Sequence, residues 1–195
     1  MAGPEAESAE EIKEKHMQRI PAKIRKKAKK IKLLLLDVDG VLTDGGIVLN
    51  DRGEEIKRFD VRDGHGIRLL LRAGLQVGLI TGRTSKVVSR RARDLGIRIV
   101  YQKAYNKLEV YHKIKRKSGL KDREIAYVGD DIVDLPVLRK AGLALTVRDS
   151  WPDLKREVDY VTASEGGRGA VREIVELLLK TQGRWKELTR RYYRD

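Results

Sequence analysis

Apolar runs recur along the chain at residues 33–36, 75–80, 97–101, 125–128, 143–147 and 160–161. Stretches of helical periodicity lie between them, near 64–73, 84–95, 106–117, 132–141 and 169–182. Nearly continuous apolar strands alternating with helices predict a mainly parallel sheet covered on both faces. The expected fold class is therefore α/β, a three-layer sandwich over residues 33–182. The rhythm breaks at residues 46–60, where Ile47-Val48-Leu49 and Ile56-Lys57-Arg58-Phe59 flank Asn50-Asp51-Arg52-Gly53. That pattern predicts a β-hairpin with a glycine-closed turn, inserted after the first strand.

The ends follow other patterns. Residues 1–12 are small, polar and acidic, a composition expected to be disordered. Residues 13–32 are rich in Lys and Arg, and Ile12, His16, Ile20, Ile24 and Ala28 recur every fourth residue. A basic amphipathic helix interrupted near Pro21 fits that spacing, and residues 1–32 are expected to form a solvated, partly disordered extension. Residues 183–195 form a C-terminal tail in which Trp185, Leu188 and Tyr192 have helical spacing and are expected to pack on the body or a neighbour.

At 195 residues the chain can bury one substantial core. Its net charge of +14 is concentrated at the ends: ten Lys/Arg against five Glu in residues 1–32, and six against two acids in residues 180–195. With one Phe and no aromatic stacking motif, nucleic acid is not the expected partner. The absence of cysteine excludes disulfides, thiolate metal sites and cysteine nucleophiles. No apolar run approaches the roughly 20 residues of a membrane span, and the N-terminus lacks a signal-peptide apolar core. A soluble cytoplasmic protein with no membrane contact is expected.

Candidate chemistry sits where the apolar runs end. The first run leads into Asp37-Val38-Asp39-Gly40, placing two carboxylates at the carboxyl edge of the sheet, where open α/β sheets bind ligands. Crowded carboxylates suit a hard cation such as Mg²⁺, and one of them can attack phosphorus. The second run ends in Thr81-Gly82-Arg83, whose hydroxyl and turn amides can donate to a phosphate oxygen beside a helix N-terminus. Lys107 opens the next helix, an unfavourable place for a cation unless an anion docks nearby. The fourth run ends in Gly129-Asp130-Asp131-Ile132-Val133-Asp134, whose carboxylates repel one another unless a cation or hydrogen bonds neutralise them.

These four motifs, in this order, resemble those of the haloacid dehalogenase superfamily of phosphohydrolases, over residues 33 to about 182. Within it, Asp37–Ile47, Phe59–Leu70, Ile80–Val88, Ala126–Leu138 and Glu165–Leu179 are similar to the branch that dephosphorylates sugar acids such as 3-deoxy-D-manno-octulosonate 8-phosphate. The resemblance implies a Rossmann-like sandwich and a phosphatase acting through an aspartyl-phosphate. In it Asp37 is the nucleophile and a Mg²⁺ ligand. Asp39 is the general acid and then base, its backbone carbonyl also reaching the metal. Asp130 completes the ligands, with Asp131 and Asp134 in support, and Thr81 and Lys107 hold the phosphoryl oxygens. The resemblance further implies substrate contacts at Asp39, Asp60, Val61, Arg62, Asp63, Gly64, Arg68, Arg83, Arg91 and Lys107. Another small phosphosugar such as a nonulosonate 9-phosphate, or a non-catalytic interaction module on the same fold, are the alternatives.

Neither usual insertion point has room for a cap domain: the first holds only the hairpin, and 25 residues separate Thr81 from Lys107. The apolar hairpin face (Ile47, Leu49, Ile56 and Phe59) would be exposed on a monomer. Pairing of hairpins would cover both the face and the site, and together with the resemblance it predicts a homotetramer. The Gly166-Gly167-Arg168-Gly169 loop precedes the last core helix, and in the family a glycine-rich C-terminal segment reaches the adjacent subunit's site; the tail beyond Gln182 and the basic N-terminal extension depart from that pattern.

Overall fold

The computed structural model describes residues 20–193. Its centre is a six-stranded sheet with every pairing parallel, in the order β5-β4-β1-β6-β7-β8. The strands are β1 (Leu33–Leu36), β4 (Gln76–Ile80), β5 (Ile99–Tyr101), β6 (Ile125–Val128), β7 (Leu143–Thr146) and β8 (Tyr160–Val161). The four leucines of β1 are inaccessible to solvent and alternate between two cores. Leu34 and Leu36 join the face that buries α1 (Ala22–Ala28), α2 (Val61–Arg72), α3 (Lys86–Leu95) and α6 (Ala170–Thr181). Leu33 and Leu35 join the face covered by α4 (Lys107–Ser118) and α5 (Leu135–Leu138). A continuous leucine run is what a strand buried on both faces requires.

Register sets the site. Leu36 lies level with Leu79 of β4 and Val128 of β6. The next residues of the three central strands, Asp37, Ile80-Thr81 and Gly129-Asp130, therefore emerge side by side at one edge.

Several elements differ from expectation in instructive ways. The helix expected at 132–141 is a 3₁₀ turn, Ile132–Asp134, followed by the single turn of α5. Asp131 caps that turn and Asp134 turns its side chain inward, so the segment starts as a tight loop around carboxylates. Helix α2 begins three residues early because the Asp60 side chain accepts from the amides of Arg62 and Asp63. The hairpin is present, but its strands β2 (Val48–Leu49) and β3 (Glu55–Ile56) are only two residues each. Its turn is held by Asn50, whose side chain accepts from Arg52 and Glu54 amides, with Gly53 at φ 73°. No cap domain lies among the described residues: only the hairpin separates β1 from α2, and only α3 and β5 lie between β4 and α4.

The basic segment is more than a solvated arm. Ile20, Ile24, Ala28 and Ile31 are buried in the core, so the packed body begins ahead of the first strand. The part of the expected extension before Ile20 lies outside the described residues. At the other end, α7 (Trp185–Thr189) folds back on the body, with the Arg172 guanidinium 5.1 Å above the Trp185 ring. The Tyr192 hydroxyl meets His65 Nε2 at 3.0 Å. Among the described residues no helix is long and apolar enough to cross a membrane.

Candidate active site

Asp37 leaves β1 with its amide donating to the Val128 carbonyl at 2.9 Å, so its side chain starts from a fixed backbone. Its Oδ1 accepts from the Val38 amide at 2.6 Å, and its Oδ2 accepts from Lys107 Nζ at 2.7 Å. Lys107 also donates to Asp134 Oδ1 at 2.7 Å. Asp134 is fully buried and takes bonds from four groups: Lys107, the Tyr127 hydroxyl, and the Asp130 and Asp131 amides. It is the post around which the Gly129–Asp134 loop is wound.

Asp37, Asp130 and Asp134 each offer a carboxylate oxygen within a 4.8 Å group. Burial, with the Asp134 charge adding to it, pushes the Asp37 carboxyl up to about 7 against the pull of Lys107. Burial and the charges of Asp37 and Asp134 push Asp130 up to about 8. Burial works against the Lys107 ammonium, but Asp37 and Asp134 outweigh it and hold its pKa above the ordinary value. One ammonium thus serves a group of carboxylates that needs more positive charge than it has. Two glycines permit the crowding. A Cβ on Gly40, which stands at φ +85°, would lie 2.0 Å from Asp130 Oδ2, and one on Gly129 would lie 2.3 Å from Asp134 Cβ.

Thr81 is buried at the end of β4, its amide bonded to the Tyr101 carbonyl and its hydroxyl accepting from the Arg83 amide at 3.3 Å. The Asp39 carboxylate lies outside the three-carboxylate group. Its Oδ1 accepts from Lys57, and its Oδ2 lies 3.9 Å from Arg83 Nε. Glu55 binds both cations, at 3.1 Å to Lys57 Nζ and 3.2 Å to Arg83 Nη2.

A family profile for haloacid dehalogenase-like hydrolases matches residues 54–142. The 3-deoxy-D-manno-octulosonate 8-phosphate phosphatase KdsC of Escherichia coli K12 is 48% identical over 168 residues, 86% of this chain and 89% of the relative. The Salmonella typhi KdsC is 49% identical over 161 residues, 83% of this chain and 86% of that protein. The chain belongs to the haloacid dehalogenase-like hydrolases. Among solved members of that family, the Moraxella catarrhalis 3-deoxy-D-manno-octulosonate 8-phosphate phosphatase, in complex with a magnesium ion, a phosphate ion and a KDO molecule, superposes with a TM-score of 0.85. It is 41% identical, covering 87% of this chain and 97% of its own. The Yersinia pestis enzyme of the same name superposes at 0.83 with 43% identity, covering 84% and 88%.

In this haloacid dehalogenase-like hydrolase the residues expected at the site divide into groups. Asp37, Lys107 and Asp130 converge, and Asp134, expected only in support, is as central as they are. The side-chain carboxylate of Asp39 stands apart from that group, and Arg83 stands with it. Asp60 caps α2 and pairs with Arg62. Val61 is exposed. Gly64 lies against Arg91, whose Nη2 would be 2.3 Å from a Cβ there, and Arg91 stacks 5.5 Å over Phe59.

Two expected contacts bond within the chain. Arg68 lies two turns down α2 and donates to the Asp94 carbonyl at 2.6 Å, at the far end of α3. Asp63 is buried and accepts from the amides of Gly169 and Arg172, tying α2 to the start of α6; burial pushes its carboxyl up to about 6. Beside the site, Arg58, Arg62 and Arg168 line a cleft of about 450 Å³ together with Phe59 and Asp60. The sequence reading passed over Glu55, Lys57 and Tyr127. Strict alternation through Glu55-Ile56-Lys57, which puts both charges opposite Ile56, was the available signal.

Proposed function

We propose that this protein is a Mg²⁺-dependent phosphatase that hydrolyses the monoester of 3-deoxy-D-manno-octulosonate 8-phosphate. The observation that carries the reading is the convergence of Asp37, Lys107, Asp130 and Asp134 at one sheet edge, in a chain 48% identical to KdsC phosphatases. The donor set is all oxygen and short of positive charge, which fits a hard divalent cation. Asp37 and Asp130, with the Asp39 backbone carbonyl, are the residues that would hold it, and Asp134 supports them. Bound there, Mg²⁺ neutralises the carboxylates and the charge that builds on phosphoryl oxygens.

The protein's own residues then do the following. Asp37 attacks phosphorus, and Asp39 gives its proton to the departing sugar oxygen. Thr81 and Lys107 hold the phosphoryl oxygens in line. Asp39 next takes a proton from water as the water oxygen displaces Asp37 from phosphorus. Arg58, Arg62 and Arg168 at the cleft, each paired with a carboxylate of the chain, offer guanidinium groups to a substrate that carries a carboxylate as well as a phosphate. Exposure of the hairpin residues Ile47, Val48, Leu49 and Ile56, each more than half accessible, supports a homotetramer built through hairpin contacts. We place the enzyme in the cytoplasm, releasing the sugar acid for lipopolysaccharide synthesis.

The test is Mg²⁺-dependent phosphate release across a panel of phosphosugars that includes 3-deoxy-D-manno-octulosonate 8-phosphate and a nonulosonate 9-phosphate. A kcat/KM at least about tenfold above the rest of the panel for the octulosonate is expected. Preference for another member keeps the chemistry and overturns the substrate. No release from any member overturns both.

A further inference from the structure

The hairpin is inverted relative to an ordinary surface hairpin. Its apolar residues Ile47, Val48, Leu49 and Ile56 are 53–58% exposed, whereas the side chain of Lys57, on the same hairpin, is 1% exposed. Burying an ammonium is unfavourable unless partners compensate. Here the partners are Asp39, reached directly by Nζ, and Glu55 at 3.1 Å. Glu55 is itself fixed by Arg83 at 3.2 Å, and burial of its carboxylate is outweighed by contacts with Ser85, Lys57 and Arg83. The result is a ring, Asp39–Lys57–Glu55–Arg83, that joins the hairpin to the turn after β1 and the turn after β4. Lys57 occupies Oδ1 of Asp39 and leaves Oδ2, whose cation neighbour Arg83 Nε is 3.9 Å away, beyond hydrogen-bond reach.

We propose that Lys57 is a positioning residue for Asp39: by holding Oδ1 it fixes the rotation of the carboxyl group so that Oδ2 faces the leaving oxygen of the substrate, with Glu55 anchoring Lys57. This rests on the phosphatase reading above. In the step concerned, the bond from Asp37 to phosphorus forms, the bond from phosphorus to the ester oxygen breaks, and the proton on Asp39 Oδ2 passes to that oxygen. A poor leaving group, such as a sugar alkoxide, needs that proton in place. A good one, such as p-nitrophenolate, needs it much less.

The experiment compares Lys57→Met, Lys57→Arg and Glu55→Gln with the unaltered protein on 3-deoxy-D-manno-octulosonate 8-phosphate and on p-nitrophenyl phosphate. Lys57→Met is expected to lower kcat on the sugar phosphate by roughly 10²-fold, the scale of a misplaced general acid, with KM changed by less than about threefold. Its loss on the aryl ester should be at least about tenfold smaller. Lys57→Arg should recover part of the sugar-phosphate rate, and Glu55→Gln should fall between. In an Asp39→Asn background Lys57→Met should cost nothing further. A retained thermal shift on adding Mg²⁺ shows that the variants are folded. Equal losses on both esters, or a full further loss in the Asp39→Asn background, would overturn the positioning role. Failure of the unaltered protein to turn over either ester would instead overturn the phosphatase reading.

Discussion

At the scale of single residues, the site is a problem of too much negative charge in too little space. Burial and the neighbouring carboxylates push Asp37 up to about 7 and Asp130 up to about 8, far above the range of an exposed carboxyl. Between about pH 4 and 8 these two carboxyls therefore bind more protons in the metal-free folded chain than in the unfolded one, and the stability they contribute falls as pH rises through that window. With chelator, the melting temperature should drop by roughly 5 °C or more between pH 6 and pH 8. Mg²⁺ should restore more at pH 8 than at pH 6, because at pH 6 it must displace protons. Equal shifts at the two values in scanning calorimetry would contradict this. Asp130→Asn should raise the metal-free melting temperature and lose most of the Mg²⁺ response, since it removes a charge the fold tolerates only for the ion. Asp37, Lys107 and Asp130 were legible in the sequence because each closes an apolar run or opens the helix after one. Lys57 was not, because it neither closes an apolar run nor opens a helix, and its partners Asp39 and Glu55 meet it only in the folded chain.

At the scale of elements, the strands could be read almost residue for residue, since a strand buried on both faces leaves an uninterrupted apolar run. What could not be read was set by side chains bonding the backbone. The Asp131 and Asp134 bonds turn an expected ten-residue helix into a 3₁₀ turn and one helical turn. Asp63 shows the same agency over distance, joining α2 to the first turn of α6, 106 and 109 residues away. Asp63→Ala leaves two amides without acceptors and should cost about 1–3 kcal/mol in chemical denaturation. Asp63→Asn keeps one acceptor and should cost less. A null effect of Asp63→Ala would show that water replaces the carboxylate, and the buried link would not be structural.

At the scale of the whole molecule, the sheet brings three strand ends level and leaves the resulting edge without a cap domain. The hairpin exposes Ile47, Val48, Leu49 and Ile56 and buries the Lys57 side chain against Asp39, so one element carries both the proposed assembly surface and the proposed positioning residue. The proposed homotetramer predicts that Leu49→Glu lowers the mass seen by sedimentation velocity to smaller species while the monomer remains folded. An unchanged tetramer would move the contact elsewhere, and a monomeric parent would remove it. The fourfold spacing of Ile20, Ile24 and Ala28 was visible in the sequence, but the basic residues around it hid that this face belongs to the core. The central claim is that Asp37, in a Mg²⁺-dependent site, carries the phosphoryl group. It is tested most directly by phosphate release from 3-deoxy-D-manno-octulosonate 8-phosphate by the protein and by Asp37→Asn, each with Mg²⁺ and with chelator. Turnover only by the unaltered protein with Mg²⁺, and at least about 10³-fold less in the other three arms, is the predicted result. Comparable release by Asp37→Asn with Mg²⁺ present would contradict it.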